Sequence, residues 1–549
     1  MLPGKTSRRD FFASIAAASA AAMTGCSAER LPAPPIVAPN DDTPQRGGTL
    51  RLALGEEVKT LDPARAIDQV SILAAQLTHD TLLNFAPADA PNPTALVPSL
   101  ASSWSISNDG TTLQFEIREN ARFSDGQALL AEDFVYGFDR LFAPETLAPM
   151  AQFFRGIDGA AERLEGRTNE TRGVRALGPK TLEIRLSRPD PSFPLLLALI
   201  GSTPQKRTHV ERSGTGIADK PLGTGPFVLQ KRRRGLESTF ERNPLYWNTD
   251  RIHLEGIVLR EGVPRDTMLL EFLAGNLDIL DGRICTDAVL FAREAAWAPY
   301  VSQSPLPITA TDVMNTQRPP FTDKRVRQAF NYAVNKADTV RLANGRAMIS
   351  NGYLPPNVPG HDASRRVWPY DPDRARVLLA GAGFAQGLEV TYTTLRDEMA
   401  QKIALSIQAD LAAVGVRVNI ETLTFAAYVN AILSGSLDFA FSSWSMDFPD
   451  PWNFLEVKFH GRMLEAGTND ARYVNPEVDR LLDAARFDSD AKRRLSLYQQ
   501  AENIIVDDCP HIWHYFSTAL DVRHPRVRGP IRHPTRDYSF LDTYLAKVT

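Results

Sequence analysis

The sequence predicts an α/β protein with more than one lobe, and three observations carry that expectation. Between residues 388 and 445, short runs of strand character alternate with longer runs of helical periodicity, the pattern of a sheet covered by helices. Residues 113–118 (LQFEIR) and 181–186 (TLEIRL) alternate apolar and polar positions as half-buried strands do. At 549 residues the chain exceeds what one hydrophobic core ordinarily serves, which points to two or three lobes. With 23% charged residues and a formal net charge of −4, it has no basic excess that would recommend nucleic acid as a partner.

The first residues read as an address rather than as fold. Ser7-Arg8-Arg9-Asp10-Phe11-Phe12 resembles a twin-arginine export signal, and the apolar run 11–23 is too short to span a bilayer comfortably. Met23-Thr24-Gly25-Cys26 has the look of a lipoprotein cleavage box, so 1–26 is expected to be a twin-arginine lipoprotein signal with Cys26 as the lipidated residue. A simple secretory peptide is the alternative. Residues 27–46 are Pro-rich with little to bury, and are expected to form a stiff linker off the membrane. Cys285 and Cys509 would then be the two remaining thiols, more readily two buried free cysteines than a pair.

The elements follow in order. Residues 47–54 alternate as a strand, and 71–83 are expected to be helical. Ala131 to Phe142 opens with Glu132 and Asp133, acids that suit a first helical turn. Asp323 can cap a helix expected to run to about Ala343, with Val326, Ala329, Phe330, Ala333 and Val334 on one face. Asp371-Pro372 starts another, stopped by Gly383. Then come a strand at 388–394, a helix at 398–414, a strand at 416–423, a helix at 426–433 and a strand at 438–445. Helices at 476–485 and 491–506 precede a strand at 512–522.

Signatures of catalysis are missing. Gly223-Thr224-Gly225 lacks the third glycine and following helix of a phosphate loop, and no nucleophile elbow, dinucleotide fingerprint or zinc spacing is present. His511 and His514 lie three apart on an expected strand, so they face opposite sides and do not chelate a metal without a bend. No cofactor is expected. Trp104 and Trp247 read as core aromatics.

A series of short strings occurs in one order along the chain. They are GGTLRLAL from Gly47 with Thr60-Leu61-Asp62-Pro63, Leu100-Ala101-Ser102-Ser103-Trp104, Phe123-Ser124-Asp125-Gly126, and Gly223-Thr224-Gly225-Pro226-Phe227. Then come Asn243-Pro244-Leu245-Tyr246-Trp247, Asn315-Thr316-Gln317-Arg318-Pro319-Pro320-Phe321, and Trp444-Ser445-Met446-Asp447 leading into Pro449-Asp450-Pro451. In this the chain resembles the family 5 extracellular solute-binding proteins, the peptide- and nickel-binding components of ABC importers. The resemblance implies a fold like the type II periplasmic binding proteins: two lobes joined by a two-strand hinge, with an extra domain on the first. It divides the chain into a discontinuous domain I (47–85, 206–310 and 506–549), domain II (86–205) and domain III (311–505). It also implies a monomer without enzymatic activity, held in the periplasm by its lipid anchor, that captures a peptide and delivers it to a membrane permease. Another amine-bearing solute or a nickel chelate is the alternative, and an exported enzyme a more distant one.

For the site, the resemblance implies that Asp447 pairs with a ligand's ammonium group through charge-assisted hydrogen bonds, with Trp444 beside it as a wall or cation–π partner. Ile67, Asp68, Gln69, Asn315, Gln317 and Phe425 are expected to line the ligand. Peptide-binding relatives can carry a basic residue three positions before the Trp to meet a carboxylate. Here that position is Phe441, and residues 425–445 contain no Lys or Arg, so a peptide carboxylate would need a partner elsewhere.

Overall fold

The computed structural model describes residues 31–35 and 43–547; the export signal and Cys26 lie outside them. One mixed sheet runs through the molecule. Its strands lie in the order Val416–Leu423, Leu388–Leu395, Phe439–Ser445, Val301–Met314, His511–Arg523, Ile279–Leu280, Thr49–Ala53, Gly256–Arg260, Glu237–Arg242 and Phe227–Arg233. Two of these strands are long and antiparallel to each other: Val301–Met314 and His511–Arg523. Their register breaks between Pro305 and Thr309. Pro305 and Pro307 bring no N–H to the ladder, so the pairing is interrupted and the strands can bend there. Either side of this break stands a separate core.

On the first side Leu50, Leu52, Ile257 and Leu259 pack with Val527, Ile531, Tyr538 and Phe540 from the far end of the chain. On the second, the parallel pair Leu388–Leu395 and Val416–Leu423 is covered by the helix Glu398–Ala412, whose Ile403, Ile407 and Leu411 bury against Val390, Tyr392 and Val418. A third unit carries its own four-stranded sheet (Ala101–Ile106, Thr112–Ile117, Thr181–Arg185, Val174–Ala176), packed on the helix Ala131–Phe142 through Phe115, Phe134 and Phe138. That helix is closed at its start by Asp133, whose carboxylate accepts the Leu130 N–H at 2.9 Å. The α/β expectation, two lobes with a two-strand connection and an added domain, is what the structure contains.

The local expectations hold with three corrections. The helix expected from Asp323 to Ala343 is two helices, Lys324–Ala333 and Lys336–Leu342. Asn335 interrupts it: its side chain accepts the Ala337 N–H, and its own N–H is drawn to Asp410 Oδ2 at 2.9 Å. The helix expected over 71–83 is Gln69–Thr78, because His79 turns extended and residues 83–85 join a two-stranded ribbon with 96–98. The expected linker is not free along its described part. Leu31 packs beside Trp297, and the Trp297 indole N–H donates to the Pro32 carbonyl at 2.8 Å. Cys285 and Cys509 are free and buried. Burial pushes both thiols up, that of Cys285 to about 11, away from the thiolate form that reacts.

Candidate functional site

The strand Phe439–Ser445 pairs antiparallel with the hinge strand up to the register Ile308↔Ser445, and the Met446 N–H donates to the Pro307 carbonyl at 2.9 Å. Asp447 therefore emerges beside the hinge break, at the carboxyl end of a sheet strand, where open α/β sheets place ligands. Immediately after it, Asp450 Oδ1 accepts the Trp452 N–H at 3.0 Å, opening the helix Trp452–Phe459. Capping thus falls to Asp450, and Asp447 is left free of that duty. Asn453, on the same helix, grips Asp447 twice. Its Nδ2 donates to Asp447 Oδ2 at 3.0 Å, and its Oδ1 accepts the Asp447 N–H at 2.9 Å.

Asp447 opens into a cavity of about 200 Å³ where all three units meet. Gln69 and Gln76 come from the helix of the first lobe, Met150 and residues 198–200 from the added domain, and residues 306–308 from the hinge strand. The walls are predominantly apolar, and Asp447 has no ion-pair partner among the described residues. Although the residue is only half-buried, the surrounding protein raises its carboxyl to about 6, a rise that the Asn453 hydrogen bond only partly offsets.

The other expected site residues fall into three groups. Ile67 and Gln69 line this cavity with Asp447, and Gln69 Oε1 accepts from Arg283 Nη1 at 3.0 Å. Trp444 and Phe425 line a second cavity of about 300 Å³ with Tyr428, Phe441 and Lys458. Trp444 is therefore not beside Asp447 as expected: the strand ends at Ser445, and the two side chains are divided between the two cavities. The Trp444 indole N–H is buried without a hydrogen-bond partner among the described residues. Asp68, Asn315 and Gln317 lie in neither cavity. Asp68 caps the helix Gln69–Thr78, accepting the Ser71 N–H at 2.9 Å. Asn315 is buried and closes a turn, accepting the Gln317 N–H at 3.1 Å, and Gln317 is exposed.

Reasoning from the sequence missed Gln76, Met150, Leu199, Ile200 and Thr535 as wall residues, since only tertiary packing brings them together. It also missed Lys458. This lysine lies 5.4 Å from the centre of the Trp444 ring, but it is committed to Asp470, which also accepts the Ser442 hydroxyl and faces His511 at 3.3 Å. His514 pairs instead with Asp312 at 2.7 Å, so the two histidines serve separate buried carboxylates. No group of three or more metal-ligating side chains gathers among the described residues.

Known proteins match this architecture over nearly its whole length. "Di/tripeptide-binding protein 2" of Pseudomonas aeruginosa is 27% identical over 514 residues, covering 89% of this chain and 94% of that protein. "Oligopeptide-binding protein OppA" of Bacillus subtilis is 26% identical over 516 residues, covering 90% and 92%. Among solved structures, "Clavulanic acid biosynthesis oligopeptide binding protein 2" superposes with a TM-score of 0.83 at 25% identity, covering 92% of this chain and 96% of that one. The unliganded open form of the murein tripeptide binding protein MppA gives 0.77 at 25% identity, covering 94% and 99%. The family model for bacterial extracellular solute-binding proteins, family 5, matches residues 95–463, more than half the chain, and the protein belongs to that family.

Proposed function

We propose that this protein captures a short peptide in the interlobe cavity and presents the closed complex to the permease of an ABC importer, without making or breaking a bond. The observation that supports this most directly is Asp447, a carboxylate raised to about 6 in an apolar cavity with no cation of its own. A peptide's α-ammonium supplies the missing charge, and closure of the lobes about the hinge removes water from the pair. The division into domain I (47–85, 206–310, 506–549), domain II (86–205) and domain III (311–505) follows the same reading. So do residence in the periplasm as a monomer, export by the twin-arginine route and a lipid anchor at Cys26.

A peptide also brings a carboxylate, and Arg396 is well placed to meet it. It follows the strand Leu388–Leu395, is exposed, and has no ion-pair partner among the described residues. The strand Leu388–Leu395 runs parallel to Phe439–Ser445, so Arg396 and Asp447 both follow the carboxyl ends of neighbouring strands.

Titration calorimetry with di- and tripeptides tests the function, together with mass spectrometry of whatever co-purifies. Stoichiometric binding without turnover is expected; steady release of a product would overturn the reading. Replacing Arg396 with Ala is expected to weaken a peptide with a free carboxylate by about tenfold and to leave the matching peptide amide nearly unchanged. Equal losses for both would remove Arg396 from the site.

The carboxyl near 6 also sets a pH dependence. The ligand ammonium pairs with ionised Asp447 and holds it ionised, so binding releases a proton from the fraction that is protonated beforehand. Affinity is therefore expected to fall as pH drops through 6. Calorimetry near that pH, in buffers of different ionisation enthalpy, should register the released proton. A flat profile between pH 5 and 7 would contradict this role.

A further inference from the structure

The structure shows a contact that a plain linker would not make. Trp297 is buried among Phe272 and Phe291, with ring centres 5.8 and 5.0 Å away. Its hydrogen-bond acceptor is the Pro32 carbonyl at 2.8 Å, and Leu31 packs against the same cluster. Leaving a buried indole N–H unpaired is costly, so the contact is favoured by the lobe itself. The backbone of residue 32 completes the polar end of this core.

The face around the contact has a second property. Leu270, on the helix Arg265–Leu273, is 66% exposed, and Leu290, on the helix Ala288–Arg293, is 40% exposed. Leu269, Leu273 and Val289 are partly buried against the same core. Arg265 and Arg293 are exposed on these two helices. Arg265 is paired with Asp266, and Asp287 and Glu294 flank the second helix, so the face has no basic excess; its exposed leucines are what suit the headgroup zone of a bilayer.

We propose that residues 31–35 are a fixed dock which shortens the tether of the lipid anchor and holds the face bearing Trp297, Leu270 and Leu290 against the membrane. This rests on the lipid anchor at Cys26 given above. From Cys26 to Leu31 there are five residue steps, a reach of at most about 17 Å. A spacer free as far as residue 46 would extend up to roughly 70 Å and leave orientation open. With the dock made, the first lobe is restrained at the bilayer, and the second lobe stays free to swing about the break at Pro305 and Pro307.

The test uses the full-length lipidated protein in vesicles of phosphatidylethanolamine and phosphatidylglycerol that carry a nitroxide lipid quencher. A fluorophore is placed at Leu270→Cys, or at Leu177→Cys on the added domain as a control; Leu177 is 55% exposed, and the native Cys285 and Cys509 are buried. The expected result is loss of fluorescence at position 270 and not at 177, with the loss at 270 abolished by Leu31→Asp, which cannot bury its charge beside Trp297. Trp297→Phe, which keeps the ring and removes the donor, should reduce the loss in the same direction. If mass spectrometry shows lipid on Cys26 and positions 270 and 177 are quenched alike, or Leu31→Asp changes nothing, the dock is overturned while the anchor stands. Absence of lipid on Cys26 overturns the anchor, and the orientation with it.

Discussion

Asp447→Asn is expected to weaken binding of an amine-bearing peptide by at least about tenfold, or ~1.4 kcal/mol, and at the same time to make the unliganded protein more stable at neutral pH. Both effects come from one cause. In the empty cavity, burial raises the Asp447 carboxyl to about 6, well above its ordinary value, so the folded state prefers it protonated. A group whose folded pKa is raised contributes most at low pH, and that contribution is lost as pH climbs through 6. At pH 7 the ionised carboxylate is therefore a cost to the fold. Asparagine carries no charge and still offers an oxygen to Asn453 Nδ2, so the clamp survives. Discounting for the partial exposure of the residue, the gain is about 1–2 kcal/mol. Thermal melts of the ligand-free proteins at pH 7 and pH 5 check it: the variant's advantage should shrink at the lower pH. A variant that binds poorly and is also less stable would instead mean that Asp447 supports the fold.

Lys458→Met is expected to destabilise the protein by about 3–5 kcal/mol. Lys458 and Asp470 are an almost fully buried pair, with 4% and 1% of their side-chain surfaces exposed, beneath the cavity that Trp444 lines. Burial alone would raise the Asp470 carboxyl, but Lys458 and His511 hold it far below the usual range. Its stabilising contribution is therefore present above the unfolded value and is lost only in strong acid. Without Lys458 the remaining partners cannot sustain the buried charge, and the carboxyl climbs. The variant should then gain stability as pH falls from 7 towards 5, a range over which the parent's contribution at this site is unchanged. Denaturant titrations of Lys458→Met, Asp470→Asn and the double variant close the cycle. The double variant should recover most of the loss, since no lone charge is left behind. If it is no better than Lys458→Met alone, the pair is not what stabilises that layer.

Much of this fold was legible locally, because side chains at helix starts mark their own positions. Asp371, Asp397, Asn475 and Asp490 each accept a hydrogen bond from a backbone N–H in the first turn of the helix they precede. The strands of the second lobe announced themselves by length and by β-branched residues. The same reasoning misread residues 323–343, where apolar spacing ran on through a cap at Asn335, and 71–83, where the helix ends early at Thr78. Of the site, the place of Asp447 just after a strand was readable from the sequence. Its separation from Trp444 was not, because the chain leaves the strand at Ser445 and the two side chains open into different cavities. Gln76, Met150 and Leu199 were not readable, since their neighbourhood is made by chain segments far apart in sequence.

The first lobe has a further consequence, for synthesis. Its core joins Leu50 and Leu52 to Val527, Ile531, Tyr538 and Phe540, which are made far later. The strand Thr49–Ala53 can thus find its sheet neighbours Gly256–Arg260 and Ile279–Leu280 only after some two hundred residues, and its full core only once residues 527–540 have been made. The second lobe and the added domain have nearer partners and can consolidate while the chain is still growing. A nascent chain halted before residue 500 would therefore carry a formed added domain and an open first lobe, whose strand Thr49–Ala53 still lacks its core partners Val527 and Ile531.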